Sequence, residues 1–315
     1  MNDITGVMRQ ISPLDTDAMR EAANRLDRLT KPQGSLGQLE ELVVRLAGMV
    51  GNSRPRFPRK AVLVLAADHG VTVEGVSAYP AAVTPQMVLN FLTGGAAINV
   101  LARQAGARVV VADLGVAADL SGQAGLAHRK VALGTGNMAQ GPAMTPEQAS
   151  AAVRAGIELL ETEVAAGVDM VATGDMGIGN TTAASAIVAA FTGRAVAEVT
   201  GRGTGLDDAG LARKVEVIER ALAINCPDAD DALDVLSKVG GLEIAGLVGV
   251  ILGAAARRVP VVIDGFISGA AGKSPIRFAL APRASIELQV CCLQCDAASK
   301  SLPILKFRAF HYENS

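Results

Sequence analysis

Apolar residues through the middle of the chain follow two alternating rhythms. Unbroken or nearly unbroken runs at Ala61–Ala67, Arg108–Asp113, Val168–Thr173 and Val259–Ile263 predict buried strands. Between them the spacing is helical. Ala149, Val153, Ile157, Leu160 and Val164 recur with helical period behind Thr145-Pro146-Glu147-Gln148, which reads as a capping box. Thr84-Pro85 reads as an N-cap with a first-turn proline, and Met87, Val88, Phe91, Leu92, Ile98 and Leu101 then share one broad helical face. Further helices are predicted over Asp207–Ile224, Asp228–Lys238 and Leu242–Arg257. Continuous apolar strands separated by helices predict an α/β fold, with a mostly parallel sheet covered on both faces. The segment before about Pro58 is helical and polar and reads as a cap or small subdomain.

In such sheets ligands sit at the carboxyl ends of the strands. Asp68-His69-Gly70, Asp113, the segment from Gly174 and Asp264-Gly265 all fall at such ends. The most informative of these is GDMGIGNTTAASA, Gly174–Ala186. A strand over Asp169–Thr173 runs into Gly174, Gly177 and Gly179, and Asn180, Thr181 and Thr182 open a helix with Asn180 as its N-cap. Strand, glycine turn and helix start can present free N–H groups to a phosphate. The same pattern also serves simply to pack an α/β unit. It is neither a Walker A loop nor a G-x-G-x-x-G fingerprint. GRGTGLDD, Gly201–Asp208, is a second glycine turn entering a helix, with Thr204 available to a phosphate and Lys214 further along the helix; an ordinary helix entry has the same pattern. The paired glycines of LSKVGGLEIAGLVG, Leu236–Gly249, read as a close-packed elbow, and His69 as a residue with a structural hydrogen bond. Met87, Met170 and Met176 read as core.

Composition narrows the function classes. The chain has 315 residues, a net charge of −2, no Trp and only two Tyr, so nothing offers a basic stripe or a stacking platform for nucleic acid. MNDITGVMRQ lacks the apolar core of a signal peptide, and Ile244–Ala256 is too short to span a bilayer, so a cytoplasmic protein is expected. No H-E-x-x-H or spaced cysteine set indicates a metal. Cys226 is expected to be buried. Cys291, Cys292 and Cys295 cluster without a second group of ligands.

Several long segments in order give the chain a resemblance. They are TKPQGSLGQLEEL from Thr30, AADHGVTVEGVSAYPAAVTPQMVLNFLTGGAAINVLARQ from Ala66, the Gly174 segment, TGRGTGLDD from Thr200, KVGGLEIAGLVG from Lys238 and VVIDGFISGAA from Val261. From Leu14 to Ala271 the chain resembles the nicotinate-nucleotide:dimethylbenzimidazole phosphoribosyltransferases (CobT) of cobalamin lower-ligand assembly. The resemblance implies a large domain with a mostly parallel sheet flanked by helices, a small helical domain from the chain ends, and a homodimer. It implies transfer of the phosphoribosyl group of nicotinate mononucleotide to 5,6-dimethylbenzimidazole, giving α-ribazole 5′-phosphate and nicotinate with inversion at the anomeric carbon. No cofactor is implied. The leaving pyridinium departs neutral and no pyrophosphate is released, so no magnesium cage is called for.

Carried onto this sequence, the resemblance gives the phosphoribosyl end to Gly174, Gly177, Gly179, Asn180 and Thr181. Gly201, Gly203 and Thr204 form a second phosphate-side turn, and Lys214 neutralises charge. Ser77, Tyr79, Pro80, Gln86 and Met87 form the base slot. Asp175 stands where the family often has glutamate, as an auxiliary in proton handling.

The departure is at the C-terminus. The family's general-base glutamate lies in a glycine-rich Glu-Gly-Thr-Gly-like turn, whereas Gly272–Ser315 contains only Glu287 and Glu313, neither in a glycine turn. The parts expected are therefore a helical segment over 1–58, the phosphoribosyl-binding domain over 59–271, and an aberrant tail over 272–315, out of frame relative to the family. The alternative activity is a chain that binds its ligands but is catalytically impaired.

Overall fold

Lys60–Ala67 (β1) is buried from its second residue onward, as an apolar run without alternation requires, and it takes the centre of the sheet. The computed structural model describes residues 4–279 and 290–292. Five more strands follow: Ala107–Gly115 (β2), Leu126–His128 (β3), Met170–Met176 (β4), Val261–Ile263 (β5) and Val290–Cys292 (β6). Their order is β3-β2-β1-β4-β5-β6, and every neighbouring pair is parallel. The chain leaves β1 towards β2 on one side and returns to β4 on the other. The carboxyl ends of β1 and β4 therefore form a topological switch point, where crossovers diverge and leave a crevice. The β1–β2 register shifts between Ala66 and Ala67, releasing the chain into Asp68-His69-Gly70.

Helices cover the sheet. Leu242–Ala256 is apolar on all sides and buried over nearly its whole length, the pattern of an interior helix. It crosses Pro146–Ala165 at backbone contact: a Cβ on Gly249 would run into the Val153 carbonyl, and one on Gly156 into that of Gly246. Before the sheet come helices Ile4–Met8, Thr16–Asp27 and Gln38–Val50. Arg258 ties this N-terminal part to the rest, its guanidinium donating to Ser12 Oγ (2.6 Å) and to the carbonyls of Pro13 (3.2 Å) and Gly48 (2.7 Å). Among the described residues no helix is long and apolar enough to cross a membrane.

Several local expectations are corrected. β4 runs on to Met176, because Gly174 and Asp175 pair with Val64 and Leu65 of β1. The glycine turn proper thus begins at Gly177. Gly179, with φ 94°, takes the cap position expected of Asn180, whose amide is used elsewhere. Thr84 is not an N-cap either. The helix starts at Val83, and the Thr84 hydroxyl accepts a tertiary bond from Ile178 N (3.1 Å). The single helical face expected from Met87 to Leu101 is broken at Gly94 (φ 80°) into helices Val83–Thr93 and Ala97–Ala105, which leaves Leu101 65% exposed. Cys226 is exposed, since it occupies the left-handed position (φ 42°) just past helix Asp208–Asn225. The tail cysteine cluster extends beyond β6, and Glu287 and Glu313 lie outside the described residues.

Candidate functional site

The crevice at the switch point is lined by two glycine turns facing each other. One wall is Gly177, Ile178, Gly179, Asn180 and Thr181; the other is Arg202, Gly203, Thr204 and Leu206, with Val76 and Ser77 closing one side. Helix Asn180–Thr192 points its start at this space. Within the turn, Ile178 N donates to Thr84 Oγ1, Asn180 N to Gly177 O (3.0 Å) and Thr182 N to Gly179 O (2.9 Å). Among the described residues, the N–H groups of Gly179 and Thr181 have no acceptor in the protein. They are the donors a helix start offers to an anion.

Lys214 stands behind these donors. It falls on the buried face of helix Asp208–Asn225, in register with Gly210, Val217, Ile218 and Ala221. The side chain is 1% exposed, and Nζ donates to Thr181 Oγ1 (2.7 Å) and Gly201 O (3.4 Å). No carboxylate pairs with it among the described residues. Burial accordingly pushes its pKa down from 10.5 to about 8. A Cβ on Gly203 would sit 3.2 Å from Thr181 Oγ1 and 3.5 Å from Lys214 Nζ, so the second turn closes over the ammonium.

Asp175, near the end of β4, is half-buried. Its Oδ1 accepts from Asn180 Nδ2 (2.9 Å), and Ser268 Oγ lies 3.5 Å from Oδ2. Burial raises its pKa to about 7, with the charge of Glu243 adding to the rise; the bonds from Asn180 and Ser268 and the nearby His69 oppose it. Asn180 both lines the crevice and holds the carboxylate, linking Asp175 to the open space.

The structure thus gathers Ser77, Gly177, Gly179, Asn180, Thr181, Gly203 and Thr204 on one crevice. Gly201 reaches it through Lys214. Gly174 lies in the sheet, where a Cβ would press on Val64 Cγ2 at 3.0 Å. Of the other residues assigned to the base slot, Tyr79, Pro80 and Gln86 are exposed and Met87 packs on the smaller apolar cluster beneath the sheet's other face. The Thr84–Ile178 bond anchors their helix to the glycine turn.

His69 makes the structural hydrogen bond expected of it, but its partner, Glu243, was missed. Glu243 Oε1 lies 2.7 Å from His69 Nε2, both side chains wholly buried. Asp68, next to His69, accepts from Ala117 N (2.8 Å). The signal available was a glutamate opening a helix otherwise made of Leu, Ile, Val, Ala and Gly.

A phosphoribosyltransferase family profile matches residues 11–291. Chloroflexus aggregans has a nicotinate-nucleotide–dimethylbenzimidazole phosphoribosyltransferase 62% identical over 284 residues, 90% of this chain and 80% of that protein. The enzyme of the same name from Roseiflexus sp. (strain RS-1) is also 62% identical, over 90% of this chain and 79% of its own. The crystal structure of CobT from Thermus thermophilus superposes with a TM-score of 0.82 at 46% identity, covering 88% of this chain and 81% of that one. Nothing in these names favours a binding-only relative. With the match spanning the sheet, both glycine turns and the lysine behind them, the chain belongs to this phosphoribosyltransferase family.

Proposed function

We infer that the chain transfers the phosphoribosyl group of nicotinate mononucleotide to 5,6-dimethylbenzimidazole, forming α-ribazole 5′-phosphate and nicotinate in cobalamin nucleotide-loop assembly. One observation carries the reading. Two unused N–H groups face one crevice at the switch point, and behind them stands a buried lysine with no carboxylate partner among the described residues. A phosphate dianion supplies what each of them lacks. The relatives' names supply the chemistry.

In this reading the phosphate sits against Gly177, Gly179 and Thr181, with Gly203 and Thr204 opposite and Lys214 as counter-charge. An acceptor nitrogen forms a bond to the anomeric carbon as the bond to nicotinate breaks. The electron pair of the breaking bond neutralises the pyridinium. Fixing the phosphoribosyl end and the acceptor in line contributes through orientation. The acceptor's ring proton passes to Asp175, whose raised pKa suits a base working near neutrality. Ser77, Tyr79, Pro80, Gln86 and Met87 hold the acceptor ring, Gln86 by hydrogen bonding and the rest by contact.

The same reading divides the chain into 1–58, 59–271 and an out-of-frame tail over 272–315. It takes a homodimer in the cytoplasm as the working form, which the exposed apolar Leu89, Val100 and Leu101 support. Incubation with nicotinate mononucleotide and excess 5,6-dimethylbenzimidazole, followed by chromatography, tests the reaction. α-Ribazole phosphate appearing with nicotinate is the expected result; failure to bind nicotinate mononucleotide at all overturns it.

A further inference from the structure

The His69–Glu243 pair is expensive and lies behind the crevice rather than on it. Glu243 is fully buried, and its second oxygen, Oε2, has no hydrogen-bond partner among the described residues. Burying a carboxylate half-satisfied costs stability unless the geometry gains by it. The imidazole is wedged among three glycines. A Cβ on Gly177 would lie 3.2 Å from His69 Cδ2, one on Gly179 3.3 Å from its Cβ, and one on Gly241 would run into Cε1. Two of these glycines form the turn whose N–H groups face the crevice; the third precedes Glu243. The ring is therefore the backing of the turn, and Glu243 fixes the ring's orientation.

We propose that His69 and Glu243 are a positioning pair for the transfer: the ring, oriented by Glu243, backs the Gly177–Gly179 turn, and the pair's charges set the field at Asp175. The kinetic half of this rests on reading that turn as the phosphoribosyl site. The electrostatic half does not. Around His69 the facing charged groups are Glu243, Asp68 and Asp175; around Asp175 they are Glu243 and His69, with Asn180 and Ser268 as hydrogen-bond donors. Burial acts to lower the His69 pKa, but Glu243, followed by Asp68 and Asp175, outweighs it and the net direction is up. Glu243 thus favours the protonated form of the ring. For Asp175, the raising effect of Glu243 exceeds the lowering effect of His69.

Glu243→Gln keeps the shape and removes the charge. Even if His69 then loses its proton, the larger influence on Asp175 has gone, so the Asp175 midpoint moves to lower pH. Carboxyl-carbon NMR of Asp175 in folded wild type and Glu243→Gln reads this directly. A downward shift is expected; an unmoved midpoint overturns the electrostatic role. If Glu243→Gln fails to fold, ring NMR of wild-type His69 decides. A His69 midpoint above the ordinary histidine value supports the pair, and one at or below it overturns it. Gly241→Ala, allowed by its backbone (φ −146°), displaces the ring and presses on Glu243 Oε2 (2.8 Å) while every titratable group is kept. It is expected to raise KM for nicotinate mononucleotide on the order of tenfold with a smaller change in kcat. An unchanged KM overturns the backing role. Should the titrations come out as expected while nicotinate mononucleotide fails to bind, the phosphoribosyl reading fails and the charged pair stands.

Discussion

Lys214→Met separates the cost of the site from its use. The lysine is 1% exposed with no carboxylate partner among the described residues, and its pKa falls from 10.5 to about 8. That difference corresponds to about 3 kcal/mol spent on keeping the ammonium charged in the empty protein. The folded pKa is depressed, so the cost is fully present below about pH 8 and fades as pH rises towards 10.5, the unfolded value. Methionine is of similar length and carries no charge. The variant is therefore expected to be more stable than wild type near neutral pH, by up to about 3 kcal/mol less the lost bond to Thr181, net roughly 1–2 kcal/mol. Its binding of nicotinate mononucleotide is expected to weaken, because one charge-assisted bond to phosphate contributes about 1.5–3 kcal/mol, on the order of 10- to 100-fold in Kd. Wild-type affinity should also decline as pH rises through about 8, while the variant's does not. Chemical denaturation and calorimetric titration across that range measure both quantities. A variant that is less stable, or that binds with unchanged Kd and pH dependence, refutes the assignment of Lys214 as an unpaired cation awaiting phosphate.

Three other outcomes follow from the packing and the sequence. Thr84→Val strands the Ile178 N–H and should cost about 1–3 kcal/mol in urea unfolding, with weaker acceptor binding because the helix bearing Gln86 loses its anchor. Gly249→Ala forces a Cβ into the Val153 carbonyl and should destabilise by more than about 3 kcal/mol or prevent soluble expression; a neutral change would mean the two helices do not touch there. Resequencing the gene across the codons for Ala270–Lys273 should reveal a shifted frame encoding a glutamate in a glycine-rich turn; a clean reading frame with no such turn rejects the out-of-frame tail.

The sheet was legible because its signals are local. An unbroken apolar run such as Ala61–Ala67 has few alternatives to a buried parallel strand, and Thr145–Gln148 caps its helix as the sequence indicates. Errors arose where a group outside the helix claims a capping side chain. Thr84 and Asn180 have ideal capping chemistry, but Ile178 and Asp175 claim their side chains. The short strand Leu126–His128 carries too few residues to show a period. In the site, the glycine turns were visible as glycines, and Lys214, named from the sequence beside the second turn, stands on an apolar helical stripe that accounts for its burial. Glu243 could not be placed, since an acid in a first turn ordinarily answers the helix dipole, and its partner lies 174 residues away.

The central claim is tested most directly by single-turnover transfer with wild type and Asp175→Asn, using nicotinate mononucleotide and excess 5,6-dimethylbenzimidazole at pH values either side of 7. Wild type is expected to form α-ribazole 5′-phosphate at a rate that falls as pH drops below about 7 and Asp175 takes up its proton. Asp175→Asn should bind nicotinate mononucleotide normally and react about 10²–10⁴-fold more slowly. Equal rates for the two proteins would remove Asp175 from the chemistry, and no product from wild type with its ligand bound would contradict the assigned reaction itself.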